Sequence, residues 1–136
     1  MYGNVHIGHH LKTKQKCAIK IVKKAMFNKY PILEQLTHNE ISVLKKMKNP
    51  NIIEFIEIMR SSNNTYYVYE YCNGGNLFDF VKKNGKLSEK QAMIYFKQLL
   101  NACKDMVAQN ICHRDIKPDN VLLHDGVVKL ADFGFC

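Results

Sequence analysis

The apolar positions of the first half of the chain predict a small antiparallel sheet with one helix. Apolar residues alternate over residues 4–8, and a polar turn separates them from the short, β-branched segment 17–22, so two antiparallel strands are predicted. Over residues 32–47 the apolar residues recur at helical spacing, and Asn49-Pro-Asn51 ends that helix. Segments 52–59 and 66–71, joined by a turn, then predict a β-hairpin.

The second half of the chain predicts helices and a second, smaller hairpin. Asn73-Gly-Gly-Asn76 breaks the pattern and precedes a short helix over residues 77–83. Ser88-Glu-Lys-Gln91 fits a capping box that opens a long helix reaching about Gln109. Two short strands, 121–123 and 127–130, are turned by Asp125-Gly126. This plan predicts a two-lobed protein with a cleft at the Gly-Gly joint.

Composition limits the class of protein. The chain has 136 residues, of which 46% are hydrophobic and 24% charged, as in one globular domain or part of one. There is no apolar run of about 18 residues and no signal-peptide pattern, so we expect a protein without a transmembrane segment, in the cytoplasm. The five scattered cysteines form no C-x-x-C pair, which predicts free thiols in a reducing compartment.

The net charge of +8 lies mostly in the first half of the chain. Residues 1–68 carry 11 Lys/Arg against 4 Asp/Glu, a balance of +7. Such a bias fits nucleic acid, an anionic membrane face or a phosphate-bearing ligand, or a simple solvated lysine face. Nucleic-acid binding has no other support in the sequence, and we expect no nucleic-acid partner.

The residues with the clearest chemistry follow the long helix. His113-Arg-Asp-Ile-Lys-Pro-Asp-Asn120 is a polar loop of the kind that holds catalytic groups. Asp132-Phe-Gly134 follows the hairpin, and a carboxylate and a carboxamide brought together there would suit Mg²⁺. Asp115 remains as an acceptor for a hydroxyl proton, and Lys117 is a point charge close to it.

These segments resemble the eukaryotic protein kinases. Residues 113–120 match the catalytic loop of that family, with Ile116 where Leu is usual, and residues 132–134 match its metal-binding triplet. Cys17-Ala-Ile-Lys20 matches the strand that carries the phosphate-binding lysine, and Glu40 stands where its ion-pair partner is placed. Gly3-Asn-Val5 matches the last glycine and the valine of the glycine-rich loop. Several specified motifs in the family's order make the resemblance specific.

The resemblance implies a role for each matched residue. Lys20, braced by Glu40, would hold the α- and β-phosphates of ATP, and the Gly3 backbone would approach them closely. Asp115 would orient a substrate hydroxyl and take its proton, while Lys117 screens the γ-phosphate. Mg²⁺ would be held by Asn120 and Asp132. The adenine site would consist of the apolar side chains of Val5, Ala18 and Leu122, backbone groups of Glu70 and Cys72, and Tyr69 at the back.

The implied fold is α+β, a truncated two-lobed kinase domain. Residues 1–72 would form the N-lobe and hinge, without its first strand and the start of the glycine-rich loop, and residues 73–136 the beginning of the C-lobe. The activation segment is not within the sequence, so we expect apolar residues of the long helix to be exposed, namely Ile94, Phe96, Leu99 and Leu100. His113 is expected to pack under Phe133 rather than act as an acid or base.

Two functions of different class follow. One is the ATP-binding half of a serine/threonine protein kinase, since Lys117 is the serine/threonine form of the motif. For this function we expect a protein substrate and a regulatory protein partner. The alternative is a truncated, non-catalytic module that binds a nucleotide or a partner. Glu70-Tyr-Cys-Asn-Gly-Gly75 and Asp132-Phe-Gly-Phe135 are similar to autophagy-initiating kinases, although calcium/calmodulin-type kinases have comparable hinges.

Overall fold

A four-stranded antiparallel sheet forms the first half of the molecule. The computed structural model describes residues 4–136. The strands are β1 (Asn4–His9), β2 (Lys16–Lys23), β3 (Phe55–Arg60) and β4 (Asn64–Glu70), in the spatial order β1-β2-β4-β3. The predicted strands and both turns are therefore confirmed, except that the start of β3 was predicted three residues too early. Lys20 pairs with Val5 on one side and with Tyr67 on the other, so it lies in the interior of the sheet.

Two helices connect β2 to β3. Helix α2 (Pro31–Lys46) buries Leu33, Ile41 and Leu44, as its period predicts, and Pro31 occupies its first turn. The helix ends at Lys46 because Met47 is extended, ahead of the Asn-Pro-Asn segment. Helix α1 (Lys24–Lys29) was not predicted, since its six residues are too few to show a period and only Phe27 is buried.

The second half contains helices α3 (Leu77–Asn84) and α4 (Glu89–Ala108), a 3₁₀ turn (Pro118–Asn120), and a hairpin of β5 (Val121–His124) and β6 (Val127–Leu130). The Ser88 hydroxyl oxygen accepts a hydrogen bond of 3.2 Å from the amide of Gln91 and caps α4. Within residues 4–136 the reciprocal bond from the Gln91 side chain is not formed, so only half of the predicted capping box is present.

Backbone contacts join the two halves. Ile53 N donates to Leu130 O at 2.9 Å and Leu130 N donates to Asn51 O at 2.8 Å, so residues 51–53 pair with β6. For this reason β3 begins at Phe55 rather than at residue 52. The joint after the hinge is equally close, because a Cβ on Gly74 would lie 2.8 Å from the Leu123 Cβ. Only glycine fits there without a shift of β5.

The apolar core runs through both halves. Leu44, Leu130, Val128, Ala102 and Phe133 are each 0–2% exposed. Helix α4 is less well covered: Ile94, Phe96 and Leu100 are exposed as expected, whereas Leu99 packs against the core. No helix among the residues described is both long and apolar enough to cross a lipid bilayer.

Candidate active site

Lys20 and Glu40 form an ion pair at the inner end of the cleft. Strand β2 carries the lysine and helix α2 the glutamate, and Lys20 Nζ lies 3.1 Å from Glu40 Oε2. The other carboxylate oxygen accepts a hydrogen bond of 3.1 Å from the Tyr69 hydroxyl. Both oxygens of this 5%-exposed glutamate therefore have partners, as a buried charge requires.

Tyr69 is held in its protonated form. Burial, and then the negative charge of Glu40, raise the pKa of the Tyr69 phenol far above its usual value of 10.0. Its ring also packs edge-on against Phe55, with centroids 5.6 Å apart. The phenol therefore acts as a fixed hydrogen-bond donor to Glu40.

The loop after α4 places two polar side chains against the carboxylate of Asp115. Asp115 Oδ2 lies 2.8 Å from Lys117 Nζ and accepts a bond of 2.9 Å from Asn120 Nδ2. The same amide donates to the Asp115 carbonyl at 2.9 Å. Asn120 is 8% exposed and ends the 3₁₀ turn Pro118–Asn120, directly before β5. Its two hydrogen bonds to Asp115 therefore tie the loop to the start of β5.

The hydrogen bond from Lys117 is the main reason that the pKa of Asp115 is lowered from 3.8, while partial burial opposes the shift. The same bond raises the pKa of Lys117. Both groups are therefore charged at neutral pH. The contacts with Lys117 and Asn120 hold the Asp115 carboxylate in a fixed orientation, in which it can accept a hydrogen bond. Because its pKa is low, it is a weak base and would accept a proton only late in a reaction.

His113 has a structural role, as expected. Its ring packs edge-on against Phe133, with centroids 4.7 Å apart, and is 2% exposed. Nδ1 accepts from the Asp115 amide at 3.3 Å, so Nε2 carries the proton and donates to the Ala131 carbonyl at 3.0 Å. The histidine thus links the loop 113–120 to the residue before Asp132. Arg114 adds a second link, from its Nε to the Phe135 carbonyl.

Two adjoining cavities bring these residues together. A cleft of about 260 Å³ is lined by nine of the predicted residues. They are Val5, Ala18, Lys20, Glu40, Tyr69, Glu70, Cys72, Leu122 and Asp132. A second cavity of about 270 Å³ shares Lys20, Glu40 and Asp132 with it and adds Asp115 and Lys117. Asn120 lines neither cavity and reaches the site through Asp115, and Gly3 lies outside the described residues.

The hinge residues Glu70, Tyr71 and Cys72, which end and follow β4, line the cleft. No backbone hydrogen bond within residues 4–136 uses the Cys72 amide, as the predicted contact with the edge of a base requires. Burial raises the pKa of the Cys72 thiol to about 12, so this cysteine is protonated and unreactive. All five cysteines are free thiols, as predicted.

Asn120 and Asp132 are suited in kind to Mg²⁺, which prefers hard oxygen ligands and keeps several waters. The Asn120 nitrogen is committed to Asp115, so its amide oxygen is the atom left for a cation. Asp132 adopts φ 65°, a left-handed conformation uncommon outside glycine and asparagine and often found at functional sites. Among the residues described, no group of three His, Cys, Asp or Glu side chains could hold a metal ion. Mg²⁺ is usually bound through one or two protein groups together with water and substrate phosphates.

Sequence reasoning missed an ion pair behind the hinge. The Glu70 carboxylate lies 2.9 Å from Lys129 Nζ and accepts from the Glu54 amide at 2.7 Å. This joins the hinge to β6, three residues before Asp132. The one signal of this pair in the sequence is that Lys129 stands inside a short apolar strand. That signal does not identify Glu70, 59 residues away, as the partner.

Comparisons with known proteins show the family to which this chain belongs. The protein kinase domain family matches residues 1–136. The chain is similar to CBL-interacting protein kinase 11 of Oryza sativa subsp. japonica, with 40% identity over 98% of this chain and 26% of that protein. CBL-interacting serine/threonine-protein kinase 9 of Arabidopsis thaliana is 40% identical over 98% of the chain and 30% of its own length. The serine/threonine-protein kinase stk11 homolog of Dictyostelium discoideum is 41% identical over 98% and 24%.

The chain belongs to the protein kinase domain family. It spans 24–30% of the length of these three relatives. The similarity to autophagy-initiating kinases and the lobe boundary at residues 72 and 73 stay predictions.

Proposed function

We propose that this chain is the ATP-binding half of a serine/threonine protein kinase, which transfers the γ-phosphoryl group of MgATP to a hydroxyl of a protein. One observation carries the proposal: the Lys20–Glu40 pair, Asp115 and Asp132 surround two adjoining cavities. Phosphoryl transfer needs positioned charge rather than covalent help, and this arrangement provides that. A regulatory protein partner and a cytoplasmic location belong to the same proposal.

Residues in different parts of the site have different proposed roles in binding MgATP. Lys20 is oriented by Glu40, itself oriented by Tyr69, and would bind the α- and β-phosphates. Asn120 and Asp132 would hold Mg²⁺, which would offset the charge of the phosphates. Val5, Ala18 and Leu122 would enclose the adenine, with backbone groups of the hinge at its edge.

Asp115 would accept the proton of the attacking hydroxyl. The substrate oxygen forms a bond to the γ-phosphorus, the bond from that phosphorus to the β–γ bridging oxygen breaks, and ADP leaves with the electron pair. Lys117 keeps Asp115 ionised before the transfer and supplies positive charge beside the transferred group.

The test is Asp115→Asn in the native protein that contains this sequence. The amide keeps the size of the side chain but cannot accept the proton, so turnover should fall at least about 100-fold, the range expected for loss of a general base. Nucleotide affinity should stay within about threefold, since Asp115 lies outside the adenine cleft. Glu89→Gln, an exposed acid at the start of α4, is the matched control.

Radiolabelled phosphoryl transfer to a mixed serine/threonine peptide library and ATP titration give the two readouts. Unchanged turnover would remove Asp115 from its proposed role. Nucleotide binding without turnover in the unaltered protein would favour the non-catalytic alternative.

A further inference from the structure

The outer face of the sheet, turned away from helix α2, carries an apolar groove that the proposed kinase chemistry does not use. The groove measures about 620 Å³, against about 260 Å³ for the nucleotide cleft. We call it the outer-face groove and define it by its apolar wall, which is formed by Leu11, Ile19, Ile56, Met59 and Val68.

The groove is built by strand register. Ile19 pairs with Val68, and Val68 also pairs with Glu57, so β2, β4 and β3 each place a side chain in one row. The Ile19 side chain lies over Gly8, which pairs with Cys17. A Cβ added to Gly8 would lie 2.5 Å from Ile19 Cδ1. An antiparallel strand with one solvated face normally carries polar residues there. Here the exposed residues of β3 at this face include two apolar ones, Ile56 and Met59, which are 46% and 44% exposed. Leu11, in the turn between β1 and β2, is 84% exposed, whereas Val68 is buried.

The rim of the groove is basic. Two lysines, Lys12 and Lys16, line it together with His9 and His10, and Glu57 is the single acidic residue among the lining residues described. The charge of the rim therefore favours an acidic occupant, and the wall favours aliphatic or aromatic side chains.

We propose that the outer-face groove binds an acidic amphipathic segment of a separate protein partner. A second copy of this chain fits less well, because its net charge of +8 would meet a basic rim. Nucleic acid would gain little from the apolar wall, since proteins bind nucleic acid chiefly through contacts with its phosphates. The proposal goes beyond kinase activity and does not depend on it.

The test selects ligands with the native protein as bait from a random peptide-display library, then measures affinity of the enriched peptides by fluorescence anisotropy. The selected peptides should combine Asp or Glu with Leu, Ile or Phe. Met59→Glu should weaken them at least about 10-fold, as for a buried anchor residue. The exposed Lys12→Glu should weaken them a few-fold at low salt and less at high salt.

Ile32→Glu is the matched control, an exposed aliphatic residue on α2 outside the groove, and it should leave the peptide affinity unchanged. ATP affinity should be unaltered in all three variants, which separates this proposal from the kinase proposal. Three results would overturn the proposal. The first is the selection of peptides that lack acidic residues, or whose affinity neither Met59→Glu nor Lys12→Glu changes. The second is self-association that Met59→Glu abolishes, and the third is oligonucleotide binding that only Lys12→Glu weakens.

Discussion

At the scale of single residues, the central feature is that Asp115 and Lys117 control each other's charge. Their 2.8 Å contact lowers the pKa of the aspartate and raises that of the lysine, so neither titrates near neutral pH. An aspartate that is ionised in the resting enzyme can accept a proton without first losing one. This is what the proposed transfer from a protein hydroxyl requires.

The pH dependence of turnover tests this relation. In Lys117→Met the main cause of the low Asp115 pKa is gone, so the pKa should rise and the acid limb of kcat/KM should move to higher pH. The sign follows because the reactive form is the carboxylate, which protonates earlier on acidification when its pKa is higher. Lys117→Arg, which keeps the charge, should leave the limb in place. An acid limb that is identical in Lys117→Met would show that another group sets it.

At the scale of elements, a cluster of amide side chains holds the loop after α2 against α4 and β6. Asn51 Nδ2 donates to the Val128 carbonyl at 3.1 Å, and Asn51 Oδ1 accepts from Asn101 Nδ2 at 2.9 Å. Gln98 Oε1 accepts from the Val128 amide at 2.6 Å. The cluster connects the end of the helix that carries Glu40 to the strand that leads to Asp132.

Replacing Asn51 should therefore destabilise the fold. Asn51→Ala leaves the buried Val128 carbonyl and the Asn101 amide without this partner, at a cost of about 1–3 kcal/mol in the free energy of unfolding. Asn63→Ala, at the exposed turn of the β3–β4 hairpin, should change it by less than about 0.5 kcal/mol. Urea unfolding of the two variants measures the difference, and equal midpoints would contradict a structural role for the cluster.

The elements show how far the sequence can predict the structure. Strand alternation, helical period, and capping and turn signals predicted β1, β2, β4, α2, α3, α4 and the β5–β6 hairpin, because each of these signals lies within neighbouring residues of the chain. The start of β3 was misplaced because Ile52 and Ile53 pair with Leu130, a contact between distant residues that no local pattern records.

The candidate site shows the same contrast between local sequence patterns, which could be recognised, and contacts between distant residues, which could not. The residues with the clearest chemistry stand in short contiguous motifs, at 17–20, 113–120 and 132–134, whereas Glu40 and the adenine-site residues could be named only through the resemblance. The Glu70–Lys129 pair and the Asn51 cluster could not be named from the sequence, since each joins segments at least 30 residues apart through side chains of ordinary type.

At the scale of the whole molecule, helix α4 leaves apolar side chains uncovered within residues 4–136. Ile94, Phe96, Leu100 and Val107 are 41–73% exposed, whereas Tyr95, Ala102 and Met106 on the same helix are buried. An exposed patch of this kind favours association through the hydrophobic effect.

Residues 1–136 expressed alone should therefore self-associate. Phe96→Lys with Leu100→Lys should shift the population towards monomer in sedimentation velocity, and Lys90→Glu, on the same helix, should not. A chain that is already monomeric at concentrations of about 100 μM, the range in which exposed apolar surface drives aggregation, would contradict this.

The most direct test of the account is the Mg²⁺ dependence of ATP binding to the native protein and to Asp132→Asn. The account predicts that Mg²⁺ tightens ATP binding in the unaltered protein and that Asp132→Asn removes this gain while affinity without Mg²⁺ changes little. ATP binding that does not respond to Mg²⁺, or an equal loss with and without the cation, would contradict a metal-assisted nucleotide site in this cleft.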